Sequence, residues 1–195
     1  MLDMLRSGQR LRGIFNGIAS PAIVEMCGYA GFDFIVIDNE HGGASIETTE
    51  HLLRSARASN LPAVVRCLEQ DIARTLDIGA VAQQIPMVNT AAHARALVQR
   101  IKYPLPASAI GLASQRGSAF STRAAGYGAF GGPRHTQHSN DGIALIVMIE
   151  TSKRLPMPVR LPLWTGWMRF LSGQTTWHTP WVMRTAGTTH RFRPR

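Results

Sequence analysis

Short β-rich runs alternate with helix-like stretches through the first half of the chain, and this alternation limits the fold more than any other feature. A helix between successive strands returns the chain along the sheet, so the strands lie parallel and the class is α/β. The clearest run is Phe32-Asp-Phe-Ile-Val-Ile-Asp38, a buried strand. Arg12–Phe15 reads as a weaker first strand, Pro62–Arg66 as a third, Gln83–Pro86 as a fourth and Ile143–Ile149 as a strong later one. Between them the spacing predicts helices over Pro21–Ala30, with Ser20 as N-cap, Pro21 in first position and Gly31 closing it, and over Ser45–Ala58, opened by Ser45. A short helix follows over Asp71–Ile78, then a longer one over Thr90–Ile101 capped by Asn89 or Thr90.

The pattern fails in two places. Tyr103–Gly142 is rich in Gly, Ser, Ala and Arg without an apolar period, which predicts long loops over the sheet. After Thr151 the composition changes abruptly: all 4 Trp, 5 of the 11 Pro and no Asp or Glu fall there, and no helix or strand period survives. The formal charge of +9 belongs to this tail, since residues 1–150 carry 13 Lys+Arg against 12 Asp+Glu. The basic balance is therefore no argument that the α/β part binds nucleic acid. At 195 residues the chain has room for one domain with a substantial core. No signal peptide or bilayer-length apolar run is visible, so a cytoplasmic protein without membrane contact is expected. Cys27 and Cys67 have neither metal-like nor redox spacing and read as unrelated buried thiols.

Three ionisable residues, Asp38, Glu40 and His41, follow directly after the central strand. Ligands and chemistry gather at the carboxyl ends of parallel strands, where such groups are useful despite their cost in stability. The competing reading makes Asp38 a turn cap and His41 a surface residue. Arg66 ends the third strand, where a guanidinium can hold an anionic or enolate oxygen, or be an ordinary surface arginine. Asp77 could orient a histidine or cap a helix end, and Glu150, after the Ile143–Ile149 strand, could ligate a hard cation or form a salt bridge. Two other patterns carry less. Gly126-Tyr-Gly-Ala-Phe-Gly131 has the letters of a dinucleotide loop, but it follows no clear strand and Gly132-Pro133 is expected to open no helix. His135 and His138 share a Gly/Pro/Ser stretch without a third ligand, so a solvated loop is expected rather than a zinc site.

In order and spacing, Gly31–Gly42, Val64-Val65-Arg66, Leu76-Asp77-Ile78-Gly79-Ala80, Ile85-Pro86-Met87-Val88-Asn89-Thr90, Lys102-Tyr103-Pro104 and Ile149-Glu150-Thr151 resemble the HpcH/HpaI aldolase family from about Gly13 to Thr151. The resemblance implies a (β/α)8 TIM-type barrel, here incomplete with about six strands, in a hexameric, class II (metal-dependent) pyruvate aldolase. It implies reversible cleavage of a 4-hydroxy-2-oxo acid, such as a 2-keto-3-deoxy sugar acid or a 4-hydroxy-2-oxo diacid, to pyruvate and an aldehyde. Glu150 would be one ligand of a Mg2+ or Mn2+ ion, with Co2+ a further candidate. Arg66 would bind substrate and stabilise the enolate oxygen, and His41, oriented by Asp77, would manage proton transfer at the aldol hydroxyl through a metal-bound water.

The departures from the family are specific. No second metal carboxylate motif follows Glu150, Met148 stands where the family commonly has Gln, the Arg of the segment after Tyr103-Pro104 is absent, and Val81-Ala82-Gln83 stands where Gln-Gly is common. These imply an aldolase part over 1–151 and a tail over 152–195 that is not native-like, replacing the last two strands. They also imply a reading frame that changes after about Ser152, and briefly near 81–83 and 105–110. Two alternatives remain: a catalytically inactive aldolase-like fragment, and a nucleic-acid binder acting through the basic, Trp-bearing tail, which lacks any recognised module. Resequencing independent clones of the gene is expected to show the frame change downstream of Glu150; an intact frame through residue 195 overturns it.

Overall fold

A computed structural model describes residues 1, 4–5, 10–104, 114–130, 132–149 and 168–172. Six strands form one parallel sheet in sequential order: β1 (Gly13–Asn16), β2 (Phe34–Asp38), β3 (Ala63–Arg66), β4 (Ala82–Ile85), β5 (Ala144–Ile149) and β6 (Met168–Ser172). Among the described residues these helices accompany them: α1 (Pro21–Tyr29), α2 (Ile46–Ala58), α3 (Ile72–Asp77), α4 (Ala91–Ile101) and α5 (Pro133–Gly142), with 3-10 turns at Glu69–Asp71 and Arg123–Gly128. Consecutive strands paired in chain order are the connectivity of a (β/α) barrel wall, and among the described residues β1 and β6 are its two ends.

Local chemistry explains most of the boundaries. Ser45 Oγ accepts the Thr48 amide at 3.1 Å and Thr90 Oγ1 accepts the His93 amide at 3.0 Å, so Thr90 rather than Asn89 caps α4. Ser20 occupies the N-cap position of α1, but its hydroxyl makes no capping bond. Pro21 follows, and it has no N–H to satisfy. Gly31 turns the chain out of α1 at φ +78, a left-handed conformation that glycine adopts without steric cost.

Alternation along the strands sorts side chains into two cores. Ile35, Ile37, Val65, Ile85, Leu145 and Val147 pack against the helices, meeting Leu52 and Ala56 of α2, Leu76 of α3 and Leu97 and Ile101 of α4. The opposite face gathers Phe34, Val36, Val64, Ala82, Ala144, Ile146 and Met148 with Leu5 from the N-terminal segment, as a barrel interior filled by side chains does. The Phe34 ring lies so close over β1 that a Cβ on Gly13 would stand 2.1 Å from it.

Three expectations need correction. Pro133 does open a helix, with Gly132 at its N-cap, so His135 and His138 lie on α5 rather than in a solvated loop. The apolar period failed there because α5 buries polar residues: His135 is 8% and Asn140 3% exposed. Asn140 is the anchor, its side chain accepting the Tyr103 amide at 2.8 Å and donating to the Tyr103 carbonyl at 3.0 Å. The glycine-rich segment before α5 still lacks the strand of a dinucleotide loop; it holds a 3-10 turn in which Gly126 and Tyr127 are left-handed. The tail also contributes a strand, β6, which pairs in parallel with β5 from Leu145↔Met168 to Ile149↔Ser172. A parallel ladder is built by backbone groups, so the surrounding Trp- and Pro-rich composition did not reveal it.

Val81-Ala82-Gln83, odd in sequence, is partly accommodated: Val81 is 51% exposed and the buried Gln83 Oε1 has no hydrogen-bond partner. Residues 82–85 are all buried as β4, and Gln83 Nε2 donates to the Ile72 carbonyl at 2.9 Å and to Thr75 Oγ1 at 2.6 Å. Both thiols are buried and unpaired as expected, and burial pushes Cys67 up to about 11. Among the described residues no helix is long and apolar enough to cross a membrane. Replacing Leu97, fully buried between α4 and the sheet, with Ala is expected to lower the unfolding free energy by about 2–5 kcal/mol in urea titration.

Candidate active site at the strand ends

β2 and β3 pair so that Asp38 stands directly opposite Arg66, and β3 and β4 so that Arg66 stands opposite Gln84. Alternation puts these three on the inner face, one step beyond Val36, Val64 and Ala82. Three polar side chains thus converge where the apolar interior ends.

Arg66 is held from several sides. Its Nε and Nη2 donate to the two Asp38 oxygens at 2.8 and 2.5 Å, a bidentate pair. Its Nη1 lies 3.3 Å from Glu40 Oε2, and the guanidinium sits 5.1 Å from the centre of the Phe15 ring. The side chains of Arg66, Asp38 and Glu40 are only 10–13% exposed, so the surface-arginine reading is wrong. Burial raises the Asp38 carboxyl, but the Arg66 guanidinium and the His41 and Glu40 amides outweigh it and hold the group below the ordinary carboxylate value.

The Asn39–Gly42 turn is equally determined. Asp38 Oδ1 accepts the Glu40 amide at 3.1 Å and the His41 amide at 3.3 Å, so its capping and ion-pairing roles coexist. The Asn39 amide donates to the Arg66 carbonyl at 2.8 Å, while its side chain exchanges hydrogen bonds with Thr49 of α2 at 2.8 and 3.0 Å. Gly42 is required because a Cβ there would stand 2.0 Å from the Asp38 carbonyl oxygen. On this fixed turn His41 is presented to solvent, its side chain 72% exposed and its Nε2 3.6 Å from Glu40 Oε1. His41, Glu40, Arg66 and Asp38 therefore form one continuous chain of ionisable groups.

Two buried polar atoms at the site lack hydrogen-bond partners: Glu40 Oε2, despite its ionic contact with Arg66, and Gln84 Nε2. One is an acceptor and the other a donor, beside Arg66 at the carboxyl ends of the strands. Sequence reading missed Gln84, and the polar–polar dipeptide Gln83-Gln84 inside a buried strand was the signal available for it.

Asp77 stands elsewhere. It ends α3, and a helix that follows a parallel strand ends near the opposite edge of the sheet from the strand's own carboxyl end. There its Oδ1 lies 3.5 Å from Arg116 Nη2, so within one chain it pairs with Arg116 while His41 faces Glu40. The expectation that Asp77 orients His41 is not met inside the chain. Glu150 lies outside the described residues. Among the described residues no group of three His, Cys, Asp or Glu could hold a metal ion.

Parallel strands in sequential order define the class as an α/β-barrel protein, with an ionic cluster on the carboxyl ends of β2 and β3. The family model for HpcH/HpaI aldolase/citrate lyase matches residues 11–155, and the chain belongs to this family. It is 34% identical over 155 residues to a 2-dehydro-3,6-dideoxy-6-sulfogluconate aldolase of Pseudomonas putida, covering 78% of this chain and 57% of that protein. It is 33% identical over 156 residues to a 4-hydroxy-2-oxo-heptane-1,7-dioate aldolase of Salmonella heidelberg (strain SL476), covering 78% and 56%. A solved HpcH/HpaI aldolase/citrate lyase family protein from Burkholderia cenocepacia J2315 superposes with a TM-score of 0.70 at 30% identity, over 77% of this chain and 59% of that one. The chain thus spans little more than half the length of these relatives.

The Asp38 shift sets a sign for acid stability. A lowered carboxyl value contributes stability that is full above the ordinary carboxylate range and lost as pH falls through the folded value. Asp38→Asn is expected to flatten the acid limb of a stability-against-pH curve and to cost about 3 kcal/mol at neutral pH, because Arg66 loses its bidentate anion. Chemical unfolding at a series of pH values checks both.

Proposed function

We propose that the chain carries the strand-end half of a carbon–carbon lyase site that cleaves a 4-hydroxy-2-oxo acid reversibly to pyruvate and an aldehyde. The observation that carries this reading is Arg66, aimed by Asp38 and Glu40 at the inner mouth of the sheet beside the exposed His41. In aldol cleavage the bond between C3 and C4 breaks, the C4 hydroxyl loses a proton as the aldehyde forms, and negative charge collects on the C2 oxygen of the pyruvate enolate. A guanidinium already desolvated and fixed stabilises that oxygen without reorganising during the reaction. His41, exposed beside Glu40, would take the hydroxyl proton and return it to C3. Gln84, with a buried donor still without an acceptor, would bind a substrate carboxylate or carbonyl oxygen.

A divalent cation, Mg2+ or Mn2+ and also Co2+, is part of this proposal, with Glu150 as the candidate ligand. Bound there, such an ion would supply Lewis-acid polarisation of the 2-oxo group. The described residues alone do not make its site, since the Asp38 oxygens are committed to Arg66 and Glu40 is the remaining carboxylate. A second reading, an inactive aldolase-like fragment, rests on the sequence, where no second metal-carboxylate motif follows Glu150. A hexamer, and the small-molecule 2-oxo acid and aldehyde as partners, follow the family.

Metal-dependent release of pyruvate from a 4-hydroxy-2-oxo diacid, followed with a coupled dehydrogenase, tests the reading. Arg66→Ala is expected to lower kcat about 10²–10³-fold, and His41→Ala about 10²–10⁴-fold. No turnover, together with no binding of Mn2+ in equilibrium dialysis, would establish the fragment instead.

A further inference from the structure

The opposite end of the sheet holds a second concave feature that the strand-end chemistry does not use. A cleft of 1010 Å³ opens at the amino ends of β3, β4 and β5, reaching Ala63, Val81 and Ile143. Its volume suits a small molecule. Six basic side chains line it: Arg57 from α2, Arg116, Arg123 from the 3-10 turn, and Arg134, His135 and His138 from α5. No Asp or Glu lines it among the described residues.

The polar groups among these side chains are incompletely satisfied. Arg116 is the most deeply placed, its side chain 2% exposed and its plane 4.0 Å from the Tyr103 ring centre, with Ser139 Oγ at 3.1 Å and Asp77 at 3.5 Å. Its Nε has no hydrogen-bond acceptor, and neither does the buried His135 Nε2 have a partner. Burial lowers Arg116, and burial with the nearby Arg116 and His138 lowers His135. Burial also lowers Arg123, and repulsion from Arg54 and Arg57 adds to this against a smaller attraction from Glu50. Arg123 spends Nη1 on the Ile78 carbonyl at 2.7 Å, a reach that depends on Gly79, whose Cβ would lie 2.4 Å from that nitrogen. Arg57 and Arg134 are exposed at the rim, and no ion pair to either is found among the described residues.

Gathering like charges around a partly desolvated cleft costs stability unless an anion shares the space. The arrangement supplies what a multiply charged oxyanion needs: forked donors from several directions, a low-dielectric floor, and two imidazoles able to become donors. The geometry points to a phosphate-binding site at the amino end of the sheet, taking inorganic phosphate or the phosphate group of a small phosphomonoester. It is independent of the aldolase reading, because it lies across the barrel wall from Arg66 and His41.

The test uses the full chain with labelled histidines, treated with EDTA, at constant ionic strength. Imidazole signals are followed by NMR while inorganic phosphate, glycerol phosphate or chloride is titrated. His135 and His138 are assigned from the spectra of His135→Gln and His138→Gln. Phosphate is expected to shift both signals saturably and to raise the His135 titration midpoint, while chloride does neither. A response to inorganic phosphate alone would identify the free ion as the ligand, and tighter binding of glycerol phosphate would identify a phosphomonoester. The exposed double variant Arg57→Gln/Arg134→Gln is expected to weaken binding at least about tenfold. Movement of only His41 would place phosphate at the Arg66 end, and movement of only His178 and His190 would place it on the tail. Either result, equal binding by the double variant, or no saturable shift overturns the proposal.

Discussion

The bidentate contact between Asp38 and Arg66 is the interaction on which the rest of the site depends. It ties the carboxyl ends of β2 and β3 at one register step, and the same Asp38 oxygen that meets Arg66 Nε also accepts two amides of the following turn. A buried ion pair of this kind is weak evidence for stability, because desolvating both groups costs about as much as their attraction returns. Its value is directional. Arg66 has its orientation set before any ligand arrives, and a group that stabilises developing charge is most effective when it need not reorient.

Constraint spreads outward from that contact. The Asn39–Gly42 turn is fixed by Asp38 below, by Thr49 of α2 at its side, and by the close approach that excludes any residue but glycine at 42. His41 is the exposed tip of an otherwise rigid loop.

The two ends of the sheet have opposite electrostatic characters. At the carboxyl end, Asp38 and Glu40 surround a single arginine; at the amino end, arginines and histidines gather with Asp77 as the neighbouring acid. Asp77, grouped by resemblance with His41, belongs by position to the second set. Its place at the end of the Asp71–Ile78 helix was legible in the sequence, and in a strand–helix unit that end lies at the edge of the sheet opposite the strand's carboxyl end.

Periodicity and turn chemistry alone located β2, α2 and α4 nearly to the residue, because apolar alternation, Ser45 and Thr90 are local signals read without knowledge of the rest of the chain. The strand-end position of Asp38, Glu40, His41 and Arg66 was equally visible. The chain's membership in its family also rests on sequence, through motifs that run to Thr151 and a family-model match over residues 11–155. Helix α5 was not legible, since its stability comes from Asn140 bonding the Tyr103 backbone and from His135 packed beneath it, both polar residues that a hydrophobic pattern discounts. Strand β6, Met168–Ser172, was hidden because Arg169 interrupts its short run and no β-rich alternation extends through the Trp- and Pro-rich residues around it. The partners of each charge, Glu40 for His41, Asp38 for Arg66 and Arg116 for Asp77, were decided only by the tertiary structure. Charge pairing depends on distances of a few ångströms between segments far apart in the chain, and those distances exist only once the sheet has set its register.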